Sequence, residues 1–99
     1  MTRVAAFVPD LMDRSRISAA VADVVFVRDV ADLVAEAADV IVLDAARAGA
    51  LDIVPSLRGR IVAFGSHVDT ALLDAARAAG VDEVLPRSAF FRRLPEVLS

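Results

Sequence analysis

Apolar residues are concentrated in five short runs, and between most of these runs they recur at every third or fourth position. The most continuous run is Val40-Ile41-Val42-Leu43, and it ends abruptly on Asp44. The run is too short for a buried helix, and it lacks the alternation of a strand with one solvated face. It is typical of a central strand in a parallel sheet whose two faces are both covered by helices.

The other runs extend this pattern along the whole chain. Strands are predicted at 3–8, 24–27, 40–43, 61–64 and 81–85, and helices at 10–22, 30–37, 50–57, 68–79 and from Ser88 onward. Regular alternation of strand and helix implies parallel strands joined by crossover connections. The predicted fold class is therefore α/β, a three-layer sandwich around a five-stranded parallel sheet, formed by a single domain over 1–99.

Polar residues mark the expected helix starts. Asp10 is interpreted as the N-cap of the first helix, with Asp13 in its first turn near the positive end of the helix dipole. Ser66 and Asp69 have the spacing of a capping box, and Ser88 is expected to cap the last helix. His67 is expected to be an exposed loop residue.

Composition excludes several classes of function. The chain has no Cys and one His, which excludes disulfides, thiolate metal sites and a His-rich metal site. The net charge of −3 argues against a nucleic-acid partner. No apolar run approaches the ~18 residues that span a membrane, and the start lacks a signal-peptide layout. We therefore expect a cytoplasmic protein with no membrane or nucleic-acid partner, no resident metal and no cofactor.

Two local segments and Asp44 give the chain a family resemblance. The segment 61–67 (IVAFGSH) resembles the fourth strand and following turn of the receiver domain of two-component response regulators. The segment 75–82 (AARAAGVD) resembles that family's passage into the fifth strand. The resemblance covers nearly the whole chain and implies a flavodoxin-like fold with sheet order 2-1-3-4-5.

The resemblance also assigns roles to single residues. Asp44 matches the family's phosphoacceptor aspartate, but the family's metal-binding acidic pair falls on Val8 and Pro9. Asp10 comes directly after these two positions, one residue later than the family's pattern requires. Arg87 stands at the position of the family's lysine.

Two further positions depart from the family's pattern. The family's Thr or Ser at the end of strand four falls on Gly65, with Ser66 next to it, and the family's aromatic switch residue falls on Val84. Together with Asp44, Asp10 and Arg87, Gly65 and Ser66 make up the candidate pocket.

These departures bear on the chemistry. Phosphoryl transfer to a carboxylate needs Mg²⁺ to offset charge on the phosphoryl oxygens. Without the acidic pair, the resemblance implies a non-enzymatic pseudo-receiver that acts by protein–protein contact in signalling. One alternative is an atypical receiver phosphorylated at Asp44, which would bind Mg²⁺ weakly, with Asp10 and Arg87 as helpers. A second alternative is a small-molecule or anion binder at the carboxyl ends of the strands.

The C-terminal segment suggests a contact surface. Phe90 and Phe91 are adjacent, so at helical spacing either one of them lies exposed at an interface or Phe90 packs under the loop before the helix. With Arg92 and Leu94 they form the predicted interface, a homodimer or stable partner contact through the last two β-α units. Carboxylates for interface arginines are expected from Asp69, Asp74 and Asp82.

Overall fold

A computed structural model describes residues 2–99 and has five strands at its centre. The strands are β1 (Val4–Phe7), β2 (Val24–Phe26), β3 (Val40–Asp44), β4 (Arg60–Gly65) and β5 (Glu83–Pro86). They form one sheet in the order β2-β1-β3-β4-β5, and every neighbouring pair is parallel. The predicted fold class and the sheet order 2-1-3-4-5 are confirmed.

β3 occupies the middle of the sheet, as its uninterrupted apolar sequence predicts. Its four apolar residues are between 0 and 3% exposed, and Asp44 at its carboxyl end is 7% exposed. Such burial on both faces is the environment that a fully apolar strand requires.

Two hydrophobic clusters cover the two faces of the sheet, and alternate residues of β3 belong to each. Ile41 and Leu43 pack in one cluster with Leu33. Val40 and Val42 pack in the other with residues of the first and last helices, namely Ile17, Phe90 and Phe91. The three-layer arrangement follows from this alternation.

The helices are fewer than the pattern predicts. The α-helices are α1 (Leu11–Ala20), α2 (Thr70–Ala79) and α3 (Arg87–Arg92). The segment predicted as a helix at 30–37 is a 3-10 helix, Val30–Ala35. None of the described helices is long and apolar enough to cross a membrane.

The helix predicted at 50–57 is wrong. That connection consists of turns and one short 3-10 helix, Val54–Ser56. Pro55 lies inside it and lacks the N–H that an α-helix interior uses. Gly49 and Gly59 at its two ends have φ of 79° and 113°, which fits turns rather than a helix.

The last helix is also shorter than predicted. α3 ends at Arg92, and a 3-10 helix, Glu96–Leu98, follows beyond Pro95. Pro95 cannot continue the hydrogen-bond ladder of an α-helix, so the helix predicted from Ser88 onward stops before it. α3 begins at Arg87, its N-cap position is Pro86 and no side chain caps it, so the capping role expected of Ser88 is wrong.

Of the two alternatives for the phenylalanines at the C-terminal end, the exposed ring is wrong. Phe90 is 0% and Phe91 7% exposed, and their ring centroids lie 4.9 Å apart in an edge-to-face contact. Phe64 of β4 stacks on Phe90 at 4.8 Å. Both rings fit inward because Phe64 contacts each of them, and its contact with Phe91 is edge-to-face at 5.4 Å.

Candidate functional site

Asp44 lies at the carboxyl end of β3 with both carboxylate oxygens engaged. The Ala46 backbone N–H donates to Oδ1 at 3.3 Å, and Arg47 Nε donates to Oδ2 at 3.2 Å. Both partners come from the turn directly after the strand. Arg47, and not Arg87, is the arginine that pairs with Asp44.

Asp10 caps α1, as predicted. Its Oδ1 accepts a hydrogen bond from the Asp13 backbone N–H at 3.0 Å, while the residue itself is exposed. This is the usual arrangement of an N-cap aspartate.

Asp13 has a role that its sequence position did not reveal. It is 2% exposed, and its carboxylate accepts hydrogen bonds from both terminal nitrogens of Arg87. The Nη1–Oδ2 distance is 2.8 Å. This bidentate pair ties the first turn of α1 to the start of α3, across 74 residues of sequence.

Several groups hold Arg87 in its charged form. Hydrogen bonding to Asp13 raises the pKa of the Arg87 guanidinium, and the charges of Asp13, Asp44 and Asp10 add to this, while burial opposes it. The guanidinium also lies 5.5 Å from the ring centroid of Phe64. Arg87 is therefore a fixed cation at the carboxyl edge of the sheet.

Gly65 and Ser66 follow β4 at the same edge. Gly65 is buried, and a Cβ added there would meet Leu72 Cδ2 at 3.2 Å, so α2 packs closely over it. Ser66 is exposed, and its hydroxyl accepts from the Val68 backbone N–H at 3.4 Å. The capping box is wrong, because Asp69 is the N-cap of α2 and accepts from the Leu72 N–H at 3.1 Å.

Two open cavities share this edge, with Ser66 and Arg87 between them. The first, here the Asp44 cavity, has a volume of about 340 Å³, and Asp44, Arg47 and Gly65 line it with Ser66 and Arg87. The second, here the arginine cavity, has a volume of about 580 Å³ and is lined by Arg16, Ser66, His67, Arg87, Ser88, Phe91 and Arg92.

The carboxylates at this edge do not assemble as a metal site. Asp44 bonds to Arg47, Asp10 bonds to the helix backbone and Asp13 bonds to Arg87. Within residues 2–99, no group of three or more Asp, Glu, His or Cys is placed to hold a metal ion. Each of these carboxylates already has a partner within the chain, whereas Mg²⁺ in proteins binds through one or two carboxylates plus water.

The structure brings together most of the pocket residues predicted from the sequence. Asp44, Gly65, Ser66 and Arg87 line one cavity, while Asp10 lies outside its lining. Sequence interpretation missed Arg47, although its position three residues after Asp44 was a usable local signal. It also missed the pairing of Asp13 with Arg87.

The predicted interface residues and their expected carboxylates are mostly used within the chain. Phe90 and Phe91 are buried and Leu94 is partly buried, which leaves Arg92 exposed. Asp69 caps α2, Asp74 bonds to Arg77 and Asp82 accepts from the Ile61 N–H at 2.8 Å.

Comparison with solved structures identifies the fold. The phosphorylated cyanobacterial phytochrome response regulator RcpA superposes with a TM-score of 0.77 at 18% identity, over 98% of this chain and 88% of that one. A response regulator from Thermotoga maritima gives 0.68 at 13% identity, over 99% and 98% of the two chains. No family model and no curated protein matches the sequence. The chain thus has the fold of response-regulator receiver domains.

Proposed function

We propose that this chain is a pseudo-receiver, which regulates a partner protein by contact and does not use the Mg²⁺-dependent phosphorylation cycle. The main support for this proposal is that the acidic side chains at the carboxyl edge of the sheet already bond to other groups of the chain. Asp13, the buried carboxylate nearest in sequence to the missing acidic pair, is held by Arg87. Val8 and Pro9 supply no oxygen side chain in its place.

The position of Arg87 supports the same proposal. The resemblance places Arg87 where the family has a lysine, yet its two terminal nitrogens bond to Asp13. Asp44 bonds to Arg47 instead. A phosphoryl group on Asp44 would have to displace Arg47 and would find no cluster of carboxylates to hold Mg²⁺.

One observation favours the alternative of an atypical but working receiver. Asp44 faces the Asp44 cavity, whose lining includes the hydroxyl-bearing Ser66 and the cations Arg47 and Arg87. Two guanidinium groups offer bidentate contacts to a phosphoryl group. Space and positive charge are therefore present, and it is metal coordination that is lacking.

Treatment with a small-molecule phosphodonor and Mg²⁺, followed by intact-mass analysis, tests the proposal. We expect the mass to stay unchanged in the wild type. A stoichiometric phosphoryl adduct that disappears in Asp44→Asn would establish the atypical receiver instead. Asp52→Asn, on the turn segment after β3, is the matched control and should behave like the wild type.

The partner surface is proposed at the carboxyl edge of the sheet and not on Phe90 and Phe91 of α3. Burial of Phe90 and Phe91 removes the apolar surface on which the homodimer prediction depended. Leu11, Met12 and Val68 follow β1 and β4 at the carboxyl edge and are 75 to 77% exposed. Large apolar side chains with this exposure are typical of contact surfaces when they cluster.

Self-association is the simplest form of such contact and can be measured directly. If a second copy is the partner, sedimentation equilibrium at tens of micromolar should show a dimer that Met12→Asp dissociates. Arg58→Glu changes an exposed residue outside this surface and should leave the dimer intact. A dimer that Met12→Asp leaves intact and Arg92→Glu dissociates would return the interface to the last two β-α units. A monomer would mean that the partner is a different protein.

A further inference from the structure

The arginine cavity concentrates positive charge on a protein whose net charge is negative. Three of its lining residues are Arg16, Arg87 and Arg92, and no Asp or Glu is among them. The chain as a whole has 14 acidic against 11 basic residues. Three guanidinium groups around one cavity therefore make this site positively charged, although the net charge of the molecule is negative.

Two of these arginines have no carboxylate partner. Within residues 2–99, Arg16 and Arg92 form no ion pair, whereas five of the eight arginines outside the cavity pair with an acid, as Arg77 does with Asp74. Arg87 uses two of its five N–H donors on Asp13, and its side chain is still 44% exposed. The cavity thus keeps several guanidinium donors for a ligand.

The aromatic cluster beneath the cavity holds two of these cations in place. The Arg16 guanidinium lies 4.1 Å from the ring centroid of Phe91, and that of Arg87 lies 5.1 Å from the same ring. Cation–π contact and the Asp13 pair restrict both side chains before any ligand arrives. Side chains that are already ordered lose less conformational entropy on binding.

From this geometry we propose that the arginine cavity is a binding site for a small phosphate-bearing molecule, held by the guanidinium groups of Arg16, Arg87 and Arg92. Ser66, His67 and Ser88 line the same cavity and add hydroxyl and imidazole hydrogen-bonding groups. Guanidinium groups bind phosphate oxygens in bidentate fashion, which favours phosphate over a single halide ion.

The size of the cavity favours a small molecule over a protein segment. Its volume of about 580 Å³ lies within the range of small-molecule sites. A protein partner needs roughly 800 Å² of surface on each side, far more than one cavity with seven lining residues offers. The proposal goes beyond partner contact by the pseudo-receiver and does not depend on the chemistry of Asp44.

Titration of the full chain at constant ionic strength tests the site. The probes are inorganic phosphate, pyrophosphate and a nucleoside diphosphate, and the readout is NMR of the arginine side-chain Nε–Hε groups and the Phe91 ring. We expect saturable shifts at Arg16, Arg87, Arg92 and Phe91. Equal affinity for pyrophosphate and the nucleoside diphosphate would show that phosphate alone is recognised. Tighter binding of the nucleotide would show that its organic part also binds.

Matched variants separate a site from general charge. Arg16→Gln and Arg92→Gln should each weaken pyrophosphate binding about tenfold, since one charge-assisted contact contributes about that factor. Arg28→Gln and Arg58→Gln remove exposed arginines outside the cavity, also without ion pairs within residues 2–99, and should leave the affinity unchanged. Arg16 and Arg92 are both exposed, so the variants that replace them should fold normally.

Three results would overturn the proposal. The first is the absence of saturable shifts with any of the three probes. The second is equal weakening by the cavity variants and the control variants, which would indicate non-specific attraction. The third is tighter binding of an unphosphorylated acidic peptide than of pyrophosphate, which would assign the cavity to an acidic protein segment.

Discussion

Asp13 and Asp44 lie at the same edge of the sheet, but their carboxylates are held in opposite ways. Asp44 bonds to Ala46 and Arg47, two and three residues further along the chain. Asp13 bonds to Arg87, 74 residues away, in a bidentate pair. The Asp44 carboxylate stabilises the turn after β3, and the Asp13 carboxylate links α1 to α3.

This difference bears on which carboxylate is available for chemistry. Arg47 and Arg87 are about equally exposed, at 45% and 44%, but Arg47 makes a single hydrogen bond to Asp44, so it can move aside and be replaced by water or a ligand. The Asp13 side chain is only 3% exposed, and without Arg87 its charge would lack a partner in a poorly solvated place. Asp13 is therefore structural, while Asp44 keeps its freedom to respond to what enters the Asp44 cavity.

The largest expected effect comes from removing the partner of Asp13. Arg87→Met keeps an apolar stem near Phe64 and Phe91 but removes the guanidinium. We expect a loss of about 2–3 kcal/mol in the free energy of unfolding, somewhat below the 3–5 typical of a fully buried pair, because Arg87 is partly exposed. Denaturant unfolding monitored by circular dichroism measures this loss.

The reverse change gives an internal control. Asp13→Asn leaves a half-exposed Arg87 that water can solvate, so its cost should be smaller, about 1 kcal/mol. The pKa of Arg87 is raised above its ordinary value in the folded protein. The contribution of Arg87 to the free energy of unfolding is therefore fully present at any pH below the ordinary pKa, and it is lost only as the pH rises through the folded pKa. The effect of Arg87→Met should then be the same at neutral and mildly alkaline pH. If Asp13→Asn cost more than Arg87→Met, the loss in Arg87→Met could not come from a buried Asp13 carboxylate left without its partner.

The same contrast explains what the sequence could and could not predict. The burial of β3 follows from its local apolar run, and the Asp10 cap follows from one residue type before a helix. The arginine three residues after Asp44 was visible in the same local way. Local patterns thus account for the strands and for the Asp10 cap, and they contain the signal for Arg47. The order of the strands followed from the family resemblance.

Contacts between distant segments were beyond such local signals. Nothing near Asp13 in the sequence indicates Arg87, since their meeting depends on how α1 and α3 pack on one face of the sheet. The burial of both Phe90 and Phe91 has the same cause. Pro95 shortens the last helix, and Phe64 of β4 supplies the aromatic surface that both rings contact.

The smallest expected effect concerns Asp44 and Arg47. Arg47→Met and Asp44→Asn should each change the free energy of unfolding by less than about 1 kcal/mol, because one hydrogen bond joins this pair whereas two join Asp13 and Arg87. The amide oxygen that Asp44→Asn introduces would still accept from the Ala46 N–H, so the turn should remain. Equilibrium unfolding beside Arg87→Met under identical conditions makes the comparison direct.

Salt sharpens this last prediction. Raising ionic strength to about 1 M shortens the screening length to ~3 Å and should remove most of the small Arg47→Met effect. The Arg87→Met effect should largely persist, because the Asp13 carboxylate is hidden from solvent ions. A salt-resistant Arg47→Met loss as large as that of Arg87→Met would show that Asp44 is also held as a structural group. The conclusion that Asp44 can respond to a ligand in the Asp44 cavity would then be wrong.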